Sequence, residues 1–197
     1  MATIRILLGI ICLIAFSWRG LLGGSALNTQ ERVVDHKKLR GNHDTLTKPS
    51  TLIQIARSQL GVREKNGVND GERVESYLKY AGAHKGDPWC AAFVSWVFSQ
   101  TGYLQPKTAW SPALFPIAKR TNLIQPATLF GIYFPKLKRI AHCGFVERKD
   151  GNWLITIEGN TNIAGSREGD GVYRKRRSIK TIKYFANWTT KNGGEHD

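Results

Sequence analysis

Cysteine is scarce, with three among 197 residues, too few for a disulfide framework of the kind that staples small secreted domains. Acidic side chains are scarce too: 15 Asp and Glu against 29 Lys and Arg leave a formal charge of +14. A field of that sign favours an anionic partner such as nucleic acid, a membrane face or a cell-wall polymer, and by itself does not choose among them. Long apolar runs are missing. The stretch from Ile6 to Phe16 has eleven residues, where about 20 are needed to span a bilayer. There is no internal repeat, no low-complexity tract and no zinc-type Cys/His spacing. What the chain does have is apolar bulk: 41% hydrophobic residues, including six Trp, six Tyr and eight Phe. That is enough to bury a sizeable core and argues against global disorder. Set against about 150 residues per typical domain, the length suits one domain plus a tail.

The first 26 residues have the layout of an export signal: Arg5, the apolar run, then Gly24-Ser25-Ala26 as small residues for cleavage. An uncleaved N-terminal anchor is the alternative. Residues 27–49 are polar and aperiodic and read as a flexible linker, and residues 191–197 as a disordered tail. The domain in between is itself basic. Residues 50–189 hold 21 Lys and Arg against 10 Asp and Glu, a surplus of 11.

Within the domain the apolar period changes once. Thr51 to Gln54 forms a capping box for a helix whose Leu52, Ile55, Ala56 and Leu60 share a face, with Gly61 as the stop. Val74, Tyr77, Leu78 and Ala81 mark a second helix. A third follows Asp87, which can cap it, with Pro88 at its first position and Gly102 after its end. This third helix is apolar nearly all round, which predicts burial in the middle of the domain. Beyond Trp110 the period becomes two, with strands expected at 129–134, 140–148, 153–158, 172–176 and 182–186. Helices followed by strands indicate an α+β fold, the buried helix packed on a C-terminal antiparallel sheet.

Cys90 falls in the first turn of the third helix, where unpaired amides and the positive end of the helix dipole favour thiolate over thiol. The same amides suit the oxyanion of a tetrahedral intermediate. A base is then required, and His142, on a predicted strand, is the candidate; His36, His43 and His196 lie in the linker or tail, and His84 in a Gly-rich loop. The group that orients it depends on the turn at 149–152. A two-residue Asp150-Gly151 turn pairs Lys149 with Asn152 and sets Glu158 opposite Cys143. A three-residue loop with a bulge at Gly151 pairs Arg148 with Asn152 and sets Glu158 opposite His142. In the second register Asn160 lies on the same face, placed to add a hydrogen bond. Cys143 follows His142 directly and points to the other face, into the core. The run Tyr173 to Arg177, with Lys180 and Lys183, could suggest nucleic acid but reads as the solvated face of an edge strand.

Three segments carry a family likeness. Asp87-Pro88-Trp89-Cys90 with the helix after it, Ala141-His142-Cys143-Gly144, and Glu158-Gly159-Asn160-Thr161-Asn162 resemble the CHAP domain, the cysteine, histidine-dependent amidohydrolase/peptidase family of the papain-like superfamily. The likeness covers roughly residues 51–188. It implies Cys90 as nucleophile, His142 as general base and acid, Glu158 as the group orienting His142, and Asn160 as auxiliary. It also implies cleavage of peptidoglycan, at a stem or cross-bridge peptide bond or at the amide joining the stem to the sugar. Where family members carry Gly-Asp ahead of the strand that precedes the histidine strand, Ala127-Thr128 stands here. Trp89, Asn66, Asn69 and Asn162 are expected to line the cleft. No cofactor is expected, and no metal, because the loop from Asn66 to Glu72 lacks oxygen-bearing side chains at alternate positions. The expected setting is the cell envelope or the exterior, with anionic envelope polymers as partners and no nucleic acid.

Overall fold

The computed structural model describes residues 49–164 and 169–189; the expected signal segment and tail, and nearly all of the expected linker, lie outside that range. Three helices and a five-stranded antiparallel sheet make an α+β fold. Among the described residues no helix is long and apolar enough to cross a membrane.

Helix α1 (49–58) buries Leu52, Ile53 and Ala56. It is already helical at residue 49, so Thr51 sits inside it rather than capping it. Helix α2 (Glu72–Tyr80) buries Val74, Tyr77 and Leu78, the expected face, and the Tyr77 hydroxyl donates to Gln59 Oε1 at 2.8 Å, tying it to the end of α1. Helix α3 (Cys90–Ser99) buries eight of its ten residues, as its all-round apolar character predicts. Its start is two residues later than the Asp87-Pro88 pair suggests. The Asp87 carboxylate accepts the His84 amide at 2.8 Å, so it closes a preceding turn, and the helix opens at Cys90 without a side-chain cap.

The strands are β1 (Leu129–Phe134), β2 (Arg139–Asp150), β3 (Trp153–Thr161), β4 (Gly171–Ser178) and β5 (Tyr184–Ala186), in the order β4-β3-β2-β1-β5. β4 is an edge strand, and the segment after α1 covers part of it: the Gly61 amide donates to Val172 O, and the Val172 amide to Val62 O. Helix α3 lies on β2 and β3. The approach is close enough to require Gly159, since a Cβ there would come within 2.8 Å of atoms of Phe93 and Trp89. Phe93, Phe98 and Phe145 fill the layer between helix and sheet, Phe93 edge-on to Phe145 with centroids 6.2 Å apart.

The β2–β3 register corrects both sequence-based alternatives. Asp150 pairs with Trp153 across a two-residue turn of Gly151 and Asn152, with Gly151 at φ 56°. A bulge at Glu147 then shifts the ladder so that Val146 faces Thr156 and Phe145 faces Ile157. One further step places Glu158 opposite Gly144, not opposite Cys143 or His142. A second bulge, at Ala141, lies between the pairs Tyr133–Ile140 and Ile132–His142. It immediately precedes His142, the kind of place where an extra residue re-aims a side chain.

Candidate active site

Cys90 is the first residue of α3, and Phe93 is the first amide to bond back into the helix, to Trp89 O at 2.8 Å. The amides before it have no partner within the helix. The thiol is buried, at 4% exposure. Its Sγ lies 3.3 Å from Ser111 Oγ, and that hydroxyl also sits 4.0 Å from the Cys143 sulfur. Both cysteines are free thiols.

His142 Nε2 is 2.8 Å from Glu158 Oε2, so the imidazole is anchored on one side and Nδ1 is the nitrogen left for proton transfer. The diagonal reach from Glu158 to His142 crosses Gly144, where an added Cβ would stand 3.1 Å from Glu158 Cγ. Glu158 is fully buried and its carboxylate is saturated with donors. Arg177 donates to it twice, Nε to Oε1 at 2.9 Å and Nη2 to Oε2 at 2.6 Å, and the Thr156 hydroxyl donates to Oε1 at 2.6 Å. Burial alone would raise this carboxyl; hydrogen bonds and charge from Arg177 and His142 outweigh it and hold the pKa at about 2.

The electrostatics of Cys90 and His142 move in opposite directions. A hydrogen bond from Cys143 is the largest influence lowering the Cys90 pKa; burial opposes it, and His142 and Ser111 reinforce it, leaving the thiol well below its usual range. Burial pushes His142 down, but Cys90 and Glu158 together raise it to about 9. The two shifts together favour the thiolate–imidazolium form of the pair over the neutral one. Cys143 is driven the other way, first by burial and then by the neighbouring Cys90, and stays a thiol.

Two cavities meet at Cys90. One, of about 140 Å³, is lined by His142, Asn160, Asn69, Phe134 and Leu137 together with Cys90. The other, of about 350 Å³, is lined by Trp110, Ala109, Ser111 and Asp87 together with Cys90. Pro88, Arg139 and Ala141 border both.

Of the residues singled out from sequence, Cys90, His142, Glu158, Asn160 and Asn69 therefore converge. Asn160 lines the cavity with a backbone φ of 52°, but among the described residues it makes no hydrogen bond to His142, whose ring is held by Glu158. Trp89, Asn66 and Asn162 line neither cavity. Trp89 is fully buried and donates its indole N–H to Glu64 Oε1 at 2.9 Å, so it is core and not cleft wall. Asn66 is occupied with Asp70, through its amide at 2.8 Å and its side chain at 2.6 Å. Asn162 is buried and its carbonyl accepts from Lys175 Nζ, outside both cavities. Among the described residues no group of three His, Cys, Asp or Glu is placed to hold a metal ion.

The basic run on β4 is only partly a solvated face. Arg177 holds Glu158, and Arg174 makes two bonds, of 2.7 and 3.0 Å, to the buried Glu147, which also pairs with Arg57 of α1. Sequence reading missed Arg177, Thr156 and Ser111. Alternation along β4 and β3 places Arg177 and Thr156 on the face of Glu158 once the register is known, whereas nothing local marks Ser111.

No family model matches the chain, and no curated protein matches it. Among solved structures it is similar to a chain titled "The crystal structure of Ly7917", with a TM-score of 0.41 and 16% identity over 70% of this chain. The match spans 61% of that structure's length.

Proposed function

We propose that this protein is an exported cysteine hydrolase that cleaves amide bonds of peptidoglycan, either a peptide bond of the stem or cross-bridge or the amide joining the stem to N-acetylmuramic acid. The observation that carries the reading is the chain of contacts Cys90, His142, Glu158 and Arg177. It pairs a thiol lowered by its surroundings with a raised imidazole fixed by a buried carboxylate. The Cys90 thiolate attacks the scissile carbonyl carbon, forming the C–S bond, while the amides at the start of α3 hold the oxyanion. Collapse of that intermediate breaks the C–N bond, and His142 gives its proton to the departing amine. Water, losing a proton to His142, then attacks the thioester and releases the acid and the thiolate. Glu158 keeps the imidazole in position and stabilises its charge. No cofactor enters these steps.

The papain-like assignment rests on the three motifs and on a cysteine-bearing helix laid against an antiparallel sheet. The peptidoglycan assignment rests on the same motifs, on the layout of the first 26 residues, and on a surplus of 11 positive charges over residues 50–189. That charge draws the enzyme to anionic envelope polymers rather than to nucleic acid. The test is incubation with purified peptidoglycan, following new amino groups and identifying fragments by mass spectrometry. New amino termini with the wild type and none with Cys90→Ala are expected, and full release by Cys90→Ala sinks the reading. Absence of release by the wild type, with an unactivated thiol, would instead fit an idle wall-binding module.

A further inference from the structure

Arg139 opens β2 and borders both cavities that meet at Cys90. Its guanidinium lies 4.2 Å over the ring of Trp110, a residue that lines the larger cavity and is 54% exposed. One of its N–H groups, on Nη1, donates to Ile140 O at 3.0 Å. A guanidinium has five N–H donors, so most remain for something else. Other arginines on or against the sheet are committed: Arg177 to Glu158, Arg174 and Arg57 to Glu147. Among the described residues no carboxylate pairs with Arg139. Asp87, the carboxylate that shares the larger cavity with it, accepts the His84 amide. Lys136 and Lys138 are exposed on the β1–β2 connection that leads into Arg139, and Leu137 between them lines the smaller cavity.

From this placement we propose that Arg139 is a specificity-determining residue that binds a free carboxylate of the substrate next to the scissile amide. Stacking on Trp110 holds the guanidinium plane in place and leaves its edge free to meet a carboxylate with two parallel bonds. Since Arg139 and Cys90 border the same two cavities, the anion it reads belongs to the residue carrying the scissile bond or to its neighbour. The substrate class is an acidic peptide. In peptidoglycan the free α-carboxylate of a γ-linked D-glutamyl residue has that chemistry, and its amidated counterpart, isoglutamine, lacks it. This deepens the proposed hydrolysis and rests on that reading.

The test compares two stem peptides, Ala-γ-D-Glu-Lys-D-Ala-D-Ala and the same peptide with D-isoglutamine in second place. Binding is measured by titration calorimetry to the full chain carrying Cys90→Ala, and hydrolysis with the active chain. Binding of the carboxylate peptide about tenfold or more tighter than the amide is expected, the scale of a charge-assisted pair. That ratio should collapse toward one in Arg139→Gln and be partly kept in Arg139→Lys, which retains the charge but not the fork. Equal binding of the two peptides by the chain with Arg139 intact overturns the proposal, as does an undiminished ratio in Arg139→Gln. A binding preference without hydrolysis by the active chain leaves the assignment of Arg139 standing and removes the hydrolase reading; hydrolysis without preference does the reverse.

Discussion

Arg177 on β4 grips the carboxylate of Glu158 on β3 with two hydrogen bonds, of 2.9 and 2.6 Å. The histidine that faces the thiol is therefore positioned by a residue that never touches it. Glu158 is fully buried, and a carboxylate there is tolerable only because Arg177, Thr156 and His142 satisfy it together.

Removing Arg177 should be costly in two distinguishable ways. Arg177→Met leaves the Glu158 carboxylate without its strongest donor, and burial then pushes its pKa up. We expect a loss of stability of about 3 kcal/mol, the scale for breaking a buried pair from one side, read by urea unfolding. We also expect the acid limb of kcat/KM to move to higher pH, because a protonated Glu158 no longer stabilises the His142 imidazolium. Arg177→Lys should recover part of the stability but not the two-point geometry. An unmoved pH profile in Arg177→Met would show that Arg177 only braces the fold.

The Cys90–His142 pair makes an unusual prediction for stability against pH. In the folded chain His142 keeps its proton up to about 9, whereas unfolded it loses it near 6.5. Alone, it contributes stability that is full below about 6.5 and falls away up to about 9. Cys90 has the opposite sign: its folded pKa is depressed, so its contribution is full above the unfolded thiol value of about 8.5 and declines below it. Between the two unfolded values, about 6.5 and 8.5, the raised histidine and the lowered thiol pull the proton balance in opposite directions, and the two slopes offset each other. The wild type should show only a shallow slope there, while Cys90→Ala, which removes the thiol and leaves Glu158 alone to raise His142 against burial, should lose that cancellation and follow a different curve. Thermal melts from pH 6 to 9 on both chains check this, and parallel curves would refute the ion pair.

Thiol labelling probes the same pair from outside. An ordinary cysteine loses about tenfold in thiolate for each pH unit below its pKa, so alkylation by iodoacetamide at pH 6 should be slow. Here Cys90 should still react at pH 6 at a rate close to that at pH 8, and Cys143, raised by burial and by Cys90, should stay unmodified. Ser111→Ala removes the hydroxyl 3.3 Å from the sulfur, the smallest of the influences that lower Cys90, and should move the pH at which labelling falls off upward. The sequence alone makes Cys143 a silent core residue; its influence on Cys90 predicts instead that Cys143→Ala shifts the labelling profile to higher pH. Peptide mapping by mass spectrometry assigns each adduct.

The elements of this fold were legible because they rest on period. The buried α3, the α2 face of Val74, Tyr77 and Leu78, and all five strands follow from apolar spacing. Cys90 at a helix start and His142 on a strand were legible for the same reason. What was not legible depends on events that leave little trace in spacing. The bulges at Ala141 and Glu147 shift the ladder by one residue each, and neither position carries a glycine or proline to announce it. Arg177 pairs with Leu154 in the ladder, four residues from Glu158, and spans the gap by side-chain length. Trp89 beside Cys90 looks like cleft wall until Glu64, 25 positions earlier, takes its N–H.

The diagonal contact between Glu158 and His142 makes Gly144 a last test of the site. Continuing the ladder puts Glu158 opposite Gly144, so a pair two residues apart along β2 forms only if the Glu158 side chain lies across that position. A Cβ on Gly144 would meet Ile157 O at 2.7 Å, Phe130 Cε1 at 3.0 Å and Glu158 Cγ at 3.1 Å. The first is a backbone contact that cannot rotate away, and the third pushes the carboxylate off the line to His142. Gly144→Ala should therefore cost roughly 1–3 kcal/mol in stability, as overpacking does. It should also lower kcat at a temperature where the variant is fully folded, with KM little changed, because the imidazole loses its orienting partner while the cavities beside Cys90 keep their lining. A variant that loses stability but keeps wild-type kcat would mean that Glu158 reaches His142 by another path.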